Sequence, residues 1–220
     1  MARVVVTRPR GRETALVRAL EARGHEVSHV PLVAIEPVGE GAIDVSGYDW
    51  VVVTSVTGAC ELRRRMIGRP KRVAAIGQAT ADAFGEVDVI PAVSTQEGLL
   101  AELPLPAGRV LFAAAEGARS LLPETLAAEV VVLYRTLELH PETPIEGDLV
   151  VLASPSAARA LVRAAPQLPA VSIGPETTAA ARAAGIEVRA EATTHDLEGL
   201  VAAVDSALPA HPLDSGEGRT

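Results

Sequence analysis

Residues 75–85 read AIGQATADAFG and residues 172–185 read SIGPETTAAARAAG. One phrase is written twice, each time after a β-branched run and at the mouth of a helix-permissive stretch. Aligning the copies sets Gly77 against Gly174 and Thr80 against Thr177, both 97 residues apart. YDWVVVTSVTGA then matches EGDLVVLASPSAA, with Asp49 facing Asp148 and Ser55 facing Ser154, both 99 apart. STQEGLLAEL matches TTHDLEGLVAAV if one residue is inserted. A looser pair sets RVVVTRPRGRE against RVLFAAAEGAR, with Gly11 facing Gly117, and continues into HVPLVAIEP against VLYRTLELH, where Pro31 meets Tyr134. Strand–turn–helix phrases repeated at this spacing mean two copies of one α/β unit.

The strands are short, continuous apolar runs: Val4–Val6, Val27–Val30, Trp50–Val53, Val73–Ile76, Val87–Ile90, Val110–Phe112, Val130–Leu133, Leu149–Leu152, Val171–Ile173 and Ile186–Val188. Runs without alternation belong to parallel strands covered by helices on both faces. Between them lie segments with apolar residues at helical steps, and Gly24, Gly85 and Gly185 stand where helices should end. The copies are shifted in order. Arg109–Leu133 completes the second unit after its other pieces, whereas Arg3–Val30 comes before anything it could complete locally. An inserted domain resolves this. Residues 1–33 with 139–208 form a discontinuous first domain, and residues 38–132 form the second. Residues 34–37 and 133–138 are linkers running side by side, and 209–220 is a flexible tail. The expected fold is two similar parallel-sheet α/β domains joined by a two-stranded linker, with a cleft between them.

Composition narrows the class. Aromatic residues are 2% of the chain, so the cores must be built from Val, Leu, Ile and Ala. Cys60 is the single cysteine, which removes an internal disulfide and any Cys-rich metal site. It reads as a buried structural thiol. The net charge of −8 argues against nucleic-acid binding through a basic face. The densest basic run, ELRRRMIGRPKR, lacks interleaved aromatics and reads as a solvated helix face and loop. The five histidines never reach metal-ligand spacing with Asp, Glu or Cys, so no metal is expected. No run is long and apolar enough to span a membrane, and the N-terminus enters a strand without a signal-peptide layout. A cytoplasmic protein is expected.

Ligands of parallel sheets sit at the carboxyl ends of strands, where helix N-termini converge. The repeated phrases fall there. Ser55 with Thr57 follows one strand, Ser154 with Ser156 another, and Gly77 and Gly174 follow two more, with Thr80 and Thr177 three residues on. Small residues at helix starts also serve as ordinary caps, and Ser94 with Glu97 and Thr193 with Asp196 have capping-box spacing. The two Gly-x-x-Thr turns favour an anion, because free backbone N–H groups and hydroxyls bind carboxylate or phosphate without lysine. Neither turn is a dinucleotide fingerprint, and no P-loop occurs. Arg8, and Arg119 in the matching turn, are placed to clamp a polyanion, with solvated arginine as the competing reading. Tyr134 sits at the domain crossing, where it either wedges the linker or assists a leaving group.

In order and spacing, VVVTRP, YDWVVVTSVTG, AAIGQATA, STQEGLLAEL, VLYRT, ASPSAAR, SIGPETTAAARAAG and EGLVAAV resemble the uroporphyrinogen-III synthase family over nearly the whole chain. The resemblance implies a cofactor-free lyase of tetrapyrrole and heme biosynthesis, acting on hydroxymethylbilane, a linear tetrapyrrole with eight carboxylates. Water leaves ring A, ring D attacks through its substituted carbon, and a spiro intermediate fragments and recloses with ring D inverted. Tyr134 matches the family's candidate acid. Ser55, Thr80, Ser154, Gly174 and Thr177 match cleft positions. Handover from hydroxymethylbilane synthase and a monomeric state are further expectations. The rival class is a non-catalytic, two-lobed α/β module that binds an anionic small molecule and turns nothing over.

Overall fold

The computed structural model describes residues 1–208. The tail expected at 209–220 lies outside the described residues. In chain order, β1 (Arg3–Val6), α1 (Thr14–Glu21), β2 (Glu26–His29) and β3 (Val33–Pro37) come first. There follow β4 (Ile43–Asp44), β5 (Trp50–Val53), α2 (Val56–Arg65), β6 (Met66–Ile67) and β7 (Arg72–Ala75). Next are α3 (Gln78–Phe84), α4 (Gln96–Glu102), β8 (Val110–Ala115), α5 (Leu121–Thr125) and β9 (Glu129–Glu138). The chain continues through β10 (Leu149–Leu152), α6 (Pro155–Ala164), β11 (Ala170–Ser172), α7 (Pro175–Ala183), β12 (Val188–Glu191) and α8 (Leu197–Ala207).

The chain divides into two compact units, Met1–Ala34 with the chain from Leu137 onward, and Ile35–Thr136. Both are α/β units with parallel sheets. The first has strand order β12-β11-β10-β1-β2, every pair parallel. The second has order β3-β9-β8-β5-β7, and β9, β8, β5 and β7 are mutually parallel. β3 lies beside β9 with Val38 N–H donating to Leu133 O and Leu139 N–H to Leu32 O, both 2.8 Å, a register that marks an antiparallel pair.

The duplication is visible in backbone detail. In the first unit, Asp148 donates its amide to Arg3 O and its carboxylate accepts Arg3 N–H, both 2.8 Å. In the second, Asp49 makes the same reciprocal pair with Arg109, again at 2.8 Å. Each aspartate thus locks the start of a central strand to its neighbour and fixes their register. Strands this short are held by burial on both faces: Trp50–Val53 and Leu149–Leu152 are buried throughout. In the first unit, Leu152 and Leu161 pack on one side of the sheet and Leu16 and Leu200 on the other.

Four expectations need correction. Ile186 does not enter a strand. Gly185 turns at φ +82°, and Ile186 donates its amide back to Ala181 O (2.9 Å), closing α7. The strand begins at Val188 instead. The run Val87–Ile90 is reduced to one bridge, Ala74 to Val89, because the Asp88 carboxylate takes the Val73 amide and Pro91 offers no donor. The caps of α4 and α8 are Thr95 and Asp196, each one or more residues later than the capping-box spacing implied. Cys60 is exposed, since Gly58, Ala59 and Leu62 form the inward face of α2.

Candidate functional site

At the carboxyl end of the second unit's sheet, Ser55 follows β5 in extended conformation and caps α2. Its Oγ accepts from Gly58 N at 3.0 Å. The same oxygen lies 2.9 Å from the Tyr134 hydroxyl. Tyr134 is level with Ala115, the last residue of β8, and is 8% exposed. Its ring approaches α2 at Gly58, where an added Cβ would lie 3.8 Å from Tyr134 Cε1 and 3.0 Å from Ser55 Oγ. The structure therefore brings together two predicted residues separated by 79 positions. Gly58 went unrecognised from sequence, because a glycine inside a helix announces a close approach without saying to what.

Gly77 follows β7 and starts α3 with no side-chain cap. Ser94 stands over it, its Oγ 2.8 Å from where a Cβ would sit. Thr80 is buried in the first turn. Arg119 donates to Glu97 at 2.7 Å, an exposed pair. The amide of Glu97 first, and then Arg119, holds the Glu97 carboxyl below its ordinary range.

The first unit repeats this grammar. Ser154 caps α6 through Ala157 N (3.2 Å), with Pro155 at the first turn. Ser156 Oγ accepts from Arg159 (3.1 Å), and Arg159 and Arg163 both reach Glu138. Gly174 starts α7 without a side-chain cap, and the His195 imidazole lies 2.9 Å from where its Cβ would be. His195 is thus the counterpart of Ser94, a role the lone histidine gave no sign of in sequence. Thr177 is 2% exposed. Beside it, Thr178 is bonded to buried Ser172 and to Glu191 at the surface, a chain that also escaped the sequence reading. Arg8, after β1, is half-buried, and burial first and Arg12 second hold its pKa below the ordinary arginine value, with Glu13 opposing. Its carbonyl accepts from His29 Nε2 at 2.8 Å.

Helix starts therefore come in two kinds. Ser55, Thr95, Ser154 and Asp196 cap their own helices, while Gly77 and Gly174, like Glu13 before α1 and Ser120 before α5, do not. A helix start with no side-chain acceptor keeps donors for something else. Among the described residues no three His, Cys, Asp or Glu side chains are grouped to hold a metal ion. No helix there is long and apolar enough to cross a membrane.

Duplicated α/β units with parallel sheets, carrying hydroxyl and glycine turns at the strand ends, define a class of two-unit α/β proteins. The family model for uroporphyrinogen-III synthase HemD matches residues 14–202, and the chain belongs to that family. Among its relatives is the chloroplastic uroporphyrinogen-III synthase of Oryza sativa subsp. japonica, 29% identical over 94% of this chain and 81% of that protein. A putative uroporphyrinogen-III synthase of Methanocaldococcus jannaschii is 27% identical over 62% of each chain. A crystal structure of mutant uroporphyrinogen III synthase from the extremely thermophilic bacterium Thermus thermophilus has the same fold, with a TM-score of 0.64 at 20% identity. The match covers 94% of this chain and 98% of that one.

Proposed function

We propose that this protein cyclises hydroxymethylbilane to uroporphyrinogen III with loss of water, inverting ring D through a spiro intermediate. The observation that carries the reading is the Tyr134 hydroxyl, 2.9 Å from Ser55 Oγ at the carboxyl end of β5. In this reading Tyr134 donates its proton to the departing hydroxyl of ring A as the carbon–oxygen bond breaks, and water leaves. Ser55 holds the phenol in place and remains hydrogen-bonded to the phenolate. The azafulvene cation is attacked by the substituted carbon of ring D, giving the spiro intermediate. Fragmentation and reclosure at the free position invert the ring, and the proton lost there restores the catalyst.

The pyrroles are electron-rich and already tend to close, so the protein's main work is to make inversion outrun direct closure. That is positioning. Gly77, Thr80, Gly174 and Thr177 supply donors to the carboxylates of the rings that do not react. Ser154 and Ser156 add hydroxyls, and Arg8 and Arg119 add charge. Arg119 can exchange Glu97 for a substrate carboxylate, because an ion pair this exposed is screened by solvent and contributes little.

The test couples the protein to hydroxymethylbilane generation and separates the oxidised porphyrin isomers by chromatography. Isomer III in excess over spontaneous isomer I is the expected result. Isomer I alone, at the blank rate from a folded sample, refutes the enzymatic reading and leaves a binding module.

A further inference from the structure

The amino-terminal edge of the second unit's sheet carries a cavity that the proposed reaction does not use. Its volume is about 650 Å³. Arg72 opens β7 there, Arg63 lies in the last turn of α2, and Gly85 ends α3. Gly77 and its turn follow the other end of the same strand. Val73 and Phe84, each 6% exposed, supply an apolar part of its lining. Its rim sets Arg63, Arg69, Lys71 and Arg72 against only Glu86 and Asp88.

Some of these groups have structural employment. Lys71 Nζ donates to Asp49 at 2.6 Å, and Arg72 lies 5.3 Å above the Trp50 ring. Asp88 accepts from the Val73 amide at 2.7 Å. Among the described residues, the Arg63 and Arg69 side chains make no hydrogen bond or salt bridge. Some arginines find carboxylates, as in Arg64 with Glu61, Arg135 with Glu36 and Arg159 with Glu138; Arg10, Arg18 and Arg182 do not, but Arg63 and Arg69 line one cavity together. The chain has 28 acidic against 20 basic residues, so a shortage of carboxylates is not the cause. Arg63 is also seated on the cavity wall. Its Nη1 lies 3.1 Å from where a Cβ on Gly85 would be, and Gly85 turns at φ +109°. A purely solvated face would need neither a concave lining with apolar side chains nor a guanidinium lying against backbone.

We propose that this cavity binds a small, multiply anionic molecule with a flat apolar body, at a site separate from the strand-end loops of the proposed reaction. The anionic groups are phosphates or carboxylates. Arg63 and Arg69 grip them bidentately, and the flat body rests on Val73 and Phe84. Glu86 on the rim opposes the anion and sets how much negative charge is accepted.

The test is calorimetric titration of the intact chain at low salt with two probes, benzene-1,3,5-tricarboxylate and adenosine diphosphate. Saturable binding of one molecule of at least one probe is expected, and the preferred probe separates the carboxylate source from the phosphate source. Arg63→Gln and Arg69→Gln should each weaken binding about tenfold, and Glu86→Gln should tighten it. Both arginines are exposed, so the folds of the variants should persist, checked by circular dichroism. Arg69→Gln should also leave the cyclisation rate unchanged. Failure of both probes to saturate overturns the proposal. So does loss of binding in Arg8→Gln with Arg63→Gln and Arg69→Gln behaving as wild type, because the anion then sits at the strand-end loops. Neither outcome depends on whether isomer III is made.

Discussion

Removing one oxygen, Ser55 Oγ, should cost more than removing a helix cap. That oxygen accepts from Gly58 N at 3.0 Å and faces Tyr134 Oη at 2.9 Å. Loss of a serine cap costs about 1 kcal/mol. The substitution also strands a hydroxyl on a side chain 8% exposed, which costs about 1 kcal/mol more. Ser55→Ala should therefore destabilise by roughly 2 kcal/mol and Tyr134→Phe by roughly 1 kcal/mol. The double variant should lose roughly 2 kcal/mol rather than their sum, a coupling of about 1 kcal/mol. Thr95→Ala is the internal control, since Thr95 caps α4 through Gly98 N at 3.0 Å in the same unit without a tyrosine beside it. It should cost about 1 kcal/mol. Trp50 is the only tryptophan and lies in β5, so its fluorescence during urea unfolding reports on this unit. With a slope of about 2 kcal/mol per molar urea, Ser55→Ala shifts the midpoint by about 1 M. Equal losses in Ser55→Ala and Thr95→Ala, with an additive double variant, would refute the shared oxygen.

Tyr134→Phe should lower isomer III formation about tenfold to a hundredfold without abolishing it, because positioning carries most of the work; a wild-type rate in the coupled assay removes the acid role. Gly174→Ala places a methyl against His195, 2.9 Å from its Nε2, and should raise KM with kcat nearly unchanged, measured by steady-state kinetics. Asp49 is held below the ordinary carboxylate range, first by the Lys71 hydrogen bond and then by the Arg109 amide. Its unfolded form therefore binds the proton more readily, so its stabilisation is present above the ordinary carboxylate pKa and is lost as pH falls through the lowered one. Asp49→Asn should flatten the acid limb of unfolding followed by Trp50 fluorescence, and an unchanged limb counts against the pair.

What the sequence made legible is what backbone periodicity writes down. Trp50–Val53 and Leu149–Leu152 stand where continuous β-branched runs put them, and Gly24 and Gly185 turn at φ +83° and +82° at helix ends. Legibility failed where a side chain or an amide was already committed elsewhere. The Ile186 amide closes α7, and the Asp88 carboxylate displaces a ladder bond. Periodicity sees neither, because both depend on where a neighbour's donor points. At the candidate site, the residues of the repeated phrases were visible because they are repeated. His195 over Gly174, Gly58 under Tyr134 and the Ser172–Thr178–Glu191 chain were not. Duplication says which residues correspond, not which side chains meet, so these contacts between different segments stayed hidden.

On the proposed function, a chain of net charge −8 must find local attraction for a many-carboxylate molecule against its own field. Neutral donors solve this differently from guanidinium groups. The amides starting α3 and α7 are fixed dipoles whose field decays within about one helical turn, so the distant negative surface opposes them little. They also exchange few counterions when an anion arrives. The basic cavity at the amino edge has the opposite character, since Arg63 and Arg69 carry full charges at the surface. Raising salt from about 0.01 M to about 0.15 M shrinks the screening length from about 30 Å to about 8 Å. KM for hydroxymethylbilane should therefore rise only slightly over that range, while binding at the basic cavity should weaken steeply, as followed by calorimetry in the same buffers. If KM climbs as steeply as the calorimetric affinity falls, then Arg8 and Arg119 hold the carboxylates, and the glycine turns are ordinary helix starts.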